Sequence, residues 1–548
     1  MKKGIMRKTI VILCIMAMLC TTLTGCLVTK KQVVNNKETS DVLRIMILAK
    51  GYGSDWLTAL ADAFEKKAGC EVEISVVTSE DNLKEDIKNT EYCDTDLYFT
   101  ISDSSGQALM SEMKNVYENG QALRDLTTLY NTKIPGEEVT IAEKMNSSIK
   151  RAYTAEGRDT ESTEDDTFYI LPYVSSAMGL YYNETVINNA LGKGNWSVPR
   201  TSDELVSLCE KLSQKGCSIL LPGMLDQWTA SLWMSWWAQY EGQENYLKFF
   251  EGVGYNATAD REEENSEKIF EQPGRLAATE TSHRLLNYET GYTLKNSIEI
   301  NKNNLNEFQT RFTLSKNNYA FYPCGDWLMQ ELENNSTIES DSDIKMMKTP
   351  IISSIIESTN SYSKDGAKRL PNIASDEVLA QVVDYVDGNG ELPAGVTEEE
   401  VAIIKEARSV VGGKTMEHFA YSPAYSNAKE LVDEFLLFMA SDEGIQIFKD
   451  NCIGGFSPYH YEYENLTKTE QSVYEATKNA IYVSDFKYSE LFYLGGVRST
   501  TAGTSDTLDG MLCKPSGMTA KEINDAMIEA FSGEKWQGYL SKVSFMAP

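Results

Sequence analysis

Apolar and polar positions along the chain first become regular at Val42. Val42-Leu43-Arg44-Ile45-Met46-Ile47-Leu48 is a largely apolar run followed by Gly51, the pattern of a buried parallel strand. Trp56, Leu57, Leu60, Ala63 and Phe64 then recur at helical spacing between a Ser54 cap and a Gly69 stop. Val72, Ile74 and Val76 alternate with Glu71, Glu73 and Ser75 as a second strand. A helical stretch near Leu83 to Ile87 leads to a third strand at Asp96-Leu97-Tyr98-Phe99. Strand, helix, strand, helix, strand predicts an α/β fold, with ligand-facing loops at the strand C-termini, Lys50 to Gly53 and Thr100 to Gly106. Further on, helices are predicted at Glu377 to Val386, Glu398 to Val411, Tyr461 to Ser484 and Thr519 to Phe531, with a loop rich in Gly, Ser and Thr at Gly495 to Asp509.

What precedes Val42 follows a different pattern. Met1 to Lys8 carries Lys2, Lys3, Arg7 and Lys8 with no acid, and Thr9 to Cys20 is apolar but short for a membrane span. Leu23-Thr24-Gly25-Cys26 comes next, completing the three-part layout of an export signal. That tetrapeptide looks like the lipobox of bacterial lipoproteins, which implies removal of residues 1–25, lipidation of Cys26 and attachment to the extracytoplasmic face of the cell membrane. Residues 26–41, rich in Lys, Asn, Thr and Ser, read as a flexible tether.

Charge narrows the partners. The formal charge is -30, and losing residues 1–25 removes four positive charges and no negative ones, leaving -34. Such a chain repels nucleic acid and anionic head groups, so a covalent lipid would have to hold it at a membrane. Seven cysteines besides Cys26 would survive processing, scattered and without a Cys-x-x-Cys pair. The three histidines, His283, His418 and His460, stand far apart. Neither a disulfide framework nor a metal site is indicated, and no cofactor is expected.

The residues become recognisable from Leu171 onward. Leu171-Pro172-Tyr173-Val174-Ser175-Ser176-Ala177-Met178-Gly179-Leu180-Tyr181-Tyr182-Asn183 resembles the segment by which sugar-type (family 1) extracellular solute-binding lipoproteins of bacterial ABC importers cross from one lobe to the other. Trp196 to Leu205, Ala320 to Trp327 with its Gly-Asp-Trp, Asn427 to Met439, and Gly454-Gly455-Phe456-Ser457-Pro458 resemble four further family segments in the right order. The resemblance spans roughly residues 42 to 460. It implies a two-lobed periplasmic-binding-protein-like fold with a hinge and an interlobe ligand cleft. The expected division is 42–173 and 353–458 in lobe 1, the latter with an insertion, and 174–352 and 459–548 in lobe 2, ending in a helical extension. It also implies capture of a carbohydrate, delivery to membrane permease subunits, and a monomer with no enzymatic activity.

A sugar offers flat C–H faces and a ring of hydroxyls, so its site needs aromatic platforms and charged or amide partners. Carried over position by position, the resemblance implies ligand contacts from Lys50 and Tyr52, from Thr100 and Asp103, from Tyr173 and Ser176, from Asp326 and Trp327, and from Phe456 at the edge. Trp228, Trp233, Trp236 and Trp237 crowd into ten residues; the last two read as a buried helical stripe, whereas Trp228 and Trp233 are candidates for the cleft.

Enzymatic motifs are absent or incomplete. Gly412-Gly413-Lys414-Thr415 imitates the end of a phosphate-binding loop, but Arg408 occupies the place of its first Gly and no strand is expected to feed it. Ser147-x-x-Lys150 and Ser361-x-x-Lys364 lack a Ser-Asp-Asn partner, and no Gly-x-Ser-x-Gly elbow or His-Glu-x-x-His helix occurs. Two alternatives stay open at this point: the same fold binding a non-sugar solute, and a lipoprotein glycoside hydrolase with two unmarked carboxylates.

Overall fold

The structure, a computed structural model, describes residues 41–79, 81–83, 86, 94–101, 123–153, 166–219, 226–287, 292–293, 305–334, 340–364, 366–413, 418–483 and 517–546. Cys26, Asp103, the side chain of Trp228, the 495–509 loop and most of the 83–87 stretch lie outside this set.

Two sheets organise the chain. The first has the order β2 (Glu71–Val77), β1 (Val42–Leu48), β3 (Leu97–Ile101), β12 (His418–Tyr421), β4 (Leu171–Pro172), with β1 parallel to both neighbours and β12 antiparallel to β3 and β4. The predicted strand, helix and strand appear where the periodicity put them. The helix is Asp55–Ala68, and Gly69 closes it at φ 71°, the left-handed conformation a glycine adopts without penalty. Ser54 stands at the N-cap without a side-chain cap bond. Val76 does not follow the expected alternation into the core, because β2 is an edge strand with Val76 54% exposed.

The second sheet runs β13 (Ile481–Val483), β11 (Val410–Gly413), β5 (Ala177–Asn183), β9 (Tyr319–Gly325), β6 (Ser218–Ile219), and β10 (Ile344–Met347) shares the β11 side of β5. A small hairpin, β7 (Gly254–Asn256) with β8 (Arg261–Glu263), stands apart. β5 and β9 are buried along their whole length, since helices cover the sheet and β10 and β11 cover their edge.

This topology corrects the sequence reading in three places. Residues 353–458 were expected in lobe 1, yet β11 pairs with β5, so the decoration up to Gly413 belongs to the second sheet and the chain returns to the first between Gly413 and His418. Helix Glu398–Ser409 stops short of the predicted Val411, and Val410 to Gly413 form a strand where none was expected. Its glycines serve close packing: a Cβ on Gly412 would lie 2.9 Å from Ser231 Cβ, and one on Gly413 3.2 Å from the Tyr482 ring. Finally, the 461–484 stretch is helical only at Lys468–Thr477, under a Thr467 capping box, before turning into β13.

The core of the second lobe is aromatic. Helix Asp226–Glu241 packs on helix Pro273–Leu286, and Trp233, Trp236 and Trp237 are all buried there. Each indole N–H finds an acceptor, at Thr279 Oγ1 (3.0 Å), the Pro350 carbonyl (3.1 Å) and Gln272 Oε1 (2.8 Å) respectively. Trp233 is therefore a core residue and not a cleft residue. Its placement follows from the same helical stripe that buries Trp236 and Trp237.

Between these rings lies Arg275, 1% exposed, its Cζ 4.7 Å from the Trp237 and Phe249 ring centres and 5.1 Å from that of Trp233. Nη2 reaches Met527 Sδ at 3.8 Å, while Nε and Nη1 have no hydrogen-bond partner among the described residues. Met527 belongs to helix Ala520–Ala530, which packs on Pro273–Leu286; Phe531 stacks on Phe270 at 4.8 Å, so the C-terminal extension docks on the second lobe.

Candidate functional site

The chain passes between the sheets three times, at 173–176, between Gly413 and His418, and at 452–480, and the candidate residues gather where these crossings meet. After β1, Gly51 and Gly53 take positive φ (54° and 68°) and turn Tyr52 away from its own sheet. The Tyr52 hydroxyl donates to Asp326 Oδ1 at the end of β9, joining the two lobes through a fully buried contact. Asp326 Oδ2 accepts the Ala177 N–H at 3.1 Å, and the Asp326 N–H returns to the Ala177 carbonyl at 2.9 Å. Asp326 thus pins the start of β5 to the end of β9 and holds Tyr52 from the opposite lobe.

Burial governs the electrostatics. It raises the Asp326 carboxyl to about 7, against the opposing pull of the Tyr52 and Ala177 donors. The Tyr52 hydroxyl is pushed well above its ordinary value, first by burial and then by Asp326, so it stays protonated and remains the donor. Because both Asp326 oxygens are engaged and the residue is 0% exposed, it acts as a strut and not as a free acceptor for hydroxyls, which corrects its expected role.

Trp327 packs beside this strut. Its ring folds over Gly325, where a Cβ would lie 2.1 Å from the indole, and its Cβ lies 3.8 Å from a Cβ placed on Gly51 of the other lobe. Tyr52 meets it edge-on at 6.2 Å. His418, the first residue of β12, sets its ring 5.2 Å from Tyr52, 6.0 Å from Tyr173 and 6.4 Å from Trp327. Sequence reasoning passed over His418 as an isolated histidine. The only signal that could have found it is its place at a crossing, which requires knowing that β12 returns to the first sheet.

The remaining candidates separate into layers. Tyr173 is buried, stacked on Trp56 at 5.1 Å, with its hydroxyl donating to the Thr100 carbonyl at 3.4 Å. Thr100 is buried beneath it, so these two support the site from below. Ser176 sits beside Tyr52 at φ 49°, a left-handed conformation unusual for serine that marks the sharp bend of the first crossing. Lys50 is exposed. Phe456 does not close the edge of this cluster: it is buried against Tyr463 (5.0 Å) and Tyr474 (5.6 Å) on the other side of the crossing. Gly454 and Gly455 are the residues of that crossing that face the cluster. A Cβ on the first would lie 2.5 Å from the Asp326 carbonyl, and one on the second 2.7 Å from Cys452 Sγ and 3.1 Å from the Tyr52 ring. Among the described residues there is no group of acidic, histidine or cysteine side chains that could hold a metal.

Two sheets linked by three crossings, with an aromatic and carboxylate cluster at the junction, define the class of the two-lobed binding proteins. Residues 50–304, just under half of the chain, match the family model of the bacterial extracellular solute-binding proteins. Solved structures extend the likeness over the whole fold. A probable secreted solute-binding lipoprotein from Streptomyces coelicolor superposes with a TM-score of 0.55 at 13% identity, covering 90% of this chain and 99% of that one. A family 1 extracellular solute-binding protein from Bifidobacterium longum subsp. infantis gives 0.53 at 13%, covering 91% and 100%. A chitin oligosaccharide binding protein gives 0.51 at 14%, covering 92% and 100%. No curated protein sequence matches the chain.

Proposed function

We propose that the protein captures a carbohydrate, an oligosaccharide in the first instance, between its two lobes and delivers it to the permease of an ABC importer. The observation that carries this reading is the convergence of Trp327, Tyr52 and His418 from opposite sheets at the crossings, three buried rings that a ligand would meet only once the lobes part. The chitin oligosaccharide binding protein, whose fold this chain shares, is consistent with a ligand of that class.

In this reading Trp327 stacks on a sugar face and Lys50, exposed just after β1, is a further contact; Asp103 and Trp228 are kept as expected contacts from the resemblance alone. Asp326, Tyr173, Thr100 and Ser176 hold those groups in place from beneath. The sugar favours the closed arrangement because only there does it touch both lobes. Cys26 would carry the lipid that keeps a strongly acidic, monomeric protein at the outer face of the cell membrane.

A thermal-shift screen against mono- and oligosaccharides tests the ligand class, since saturation at a hundred times the dissociation constant stabilises by about 2.7 kcal/mol. Small-angle scattering then tests closure with the sugar so found. No stabilisation by any carbohydrate, together with a clear shift from a peptide or amine, would replace sugar by that solute. Hydrolysis of the tested oligosaccharides by the purified protein would overturn the binding reading altogether. Replacement of Cys26 by Ser is expected to release the protein from membranes or leave it unprocessed; membrane retention of a correctly cleaved Cys26→Ser protein would refute the anchor.

A further inference from the structure

We propose that a cavity on the far side of the crossings is a second ligand site, taking a small neutral polyol of monosaccharide size. The cavity has a volume of about 240 Å³, below the usual range for larger organic ligands. Its walls come from Asn146 and Ile149 of the first lobe, Ser175 and Phe456 of two crossings, and Tyr474 and Tyr482 of the second lobe. It is separate from the Trp327 cluster, because neighbouring residues of the same crossing face opposite ways: Gly455 abuts Tyr52, whereas Phe456 lines the cavity.

The chemistry of the walls selects the ligand. At the rim Lys478 pairs with Glu475 at 2.7 Å, and the exposed Glu462 accepts the Tyr474 hydroxyl at 3.0 Å with its carboxylate open to solvent. The Asn146 amide is likewise committed, its oxygen to the Ser148 and Ile149 N–H groups and its nitrogen to the Ala480 carbonyl. What remains is a lining of tyrosine rings around Phe456, with one buried hydroxyl, that of Tyr459, lacking a partner among the described residues. Such a lining suits an uncharged molecule with C–H faces and hydroxyl groups and disfavours a net charge that would enter unpaired. Because the walls belong to both lobes, any rotation about the crossings reshapes them. A polyol bound here and a solute bound between the lobes are therefore linked, each altering the other's affinity by the same factor.

Calorimetric titration of myo-inositol and of D-glucose into the wild type, Trp327→Ala and Asn479→Trp proteins tests the site. Asn479 is exposed at the rim, so the larger side chain blocks the cavity without disturbing the core. Saturable binding is expected in the wild type and in Trp327→Ala, weakened by about tenfold or more in Asn479→Trp. Glu462→Trp, at a second exposed lining residue, is expected to do the same, with both blocking variants melting near the wild type. Absence of saturable heat from both probes with the wild type overturns the proposal. So does binding that vanishes in Trp327→Ala and survives in Asn479→Trp, which would place the probe between the lobes and leave the function proposed above intact.

Discussion

Asp326 and Arg275 are both buried ionisable side chains, and the fold treats them in opposite ways. Asp326 is met by directed donors from two parts of the chain and ties one lobe to the other. Arg275 is met by the faces of aromatic rings and one thioether, all within the second lobe and its C-terminal extension. Burial moves both toward neutrality, the carboxyl up to about 7 and the guanidinium down to about 9. The difference lies in what removal would leave behind. Without Asp326, a buried tyrosine hydroxyl and a buried N–H lose their partner; without Arg275, rings lose a neighbour but no polar group is stranded apart from the weak Met527 contact.

Asp326→Ala puts the sharpest strain on this contrast, and is expected to cost about 4 kcal/mol in urea unfolding, from two stranded donors and a small cavity. A loss below about 1 kcal/mol would show that Tyr52 and Ala177 find other acceptors. Trp327→Ala separates support from contact: it is expected to cost about 3 kcal/mol of carbohydrate binding by calorimetry, more than any residue beneath it. Arg275→Met should go the other way. Replacing a buried cation that lacks a countercharge among the described residues by an apolar side chain of similar length is expected to stabilise by about 1–2 kcal/mol, read as a raised urea midpoint. A marked destabilisation would mean that the aromatic faces more than offset the lost hydration.

The smallest effect is a pH dependence. A carboxyl whose folded-state value lies above its unfolded one binds the proton more tightly when folded. Its contribution is therefore complete below about pH 4 and is lost as pH rises through about 7. Between about pH 6 and 8, wild type minus Asp326→Asn should fall by about 1 kcal/mol. A difference that rises over that interval would reverse the argument.

The local elements of the first lobe were legible because their signals are local. The β1 run, the helix ending at Gly69 and the alternation of β2 each carry their period in a few residues. Membership of the second sheet was less legible. Val410 to Gly413 looks like the tail of a helix followed by a glycine turn, and only the approach of Ser231 and Tyr482 explains why two glycines form a strand there. At the candidate site, the motif around Gly325 and Trp327 could not show the depth at which each residue lies. Tyr173, Asp326 and Phe456 have the residue types of a sugar site, and depth cannot be read from type. Trp233 failed for the same reason in reverse, its exposure being decided by the helix opposite it.

The crossing between Gly413 and His418 bears on how the chain acquires its shape. β12 inserts between β3 and β4, so the first sheet stays incomplete until a segment far downstream has been made, and the helices Lys429–Ala440 and Asp442–Asn451 that cover it come later still. Closing so long a loop before its contacts form slows folding. The strands made first, β1 to β3, thus wait for one made more than three hundred residues later before their sheet is complete.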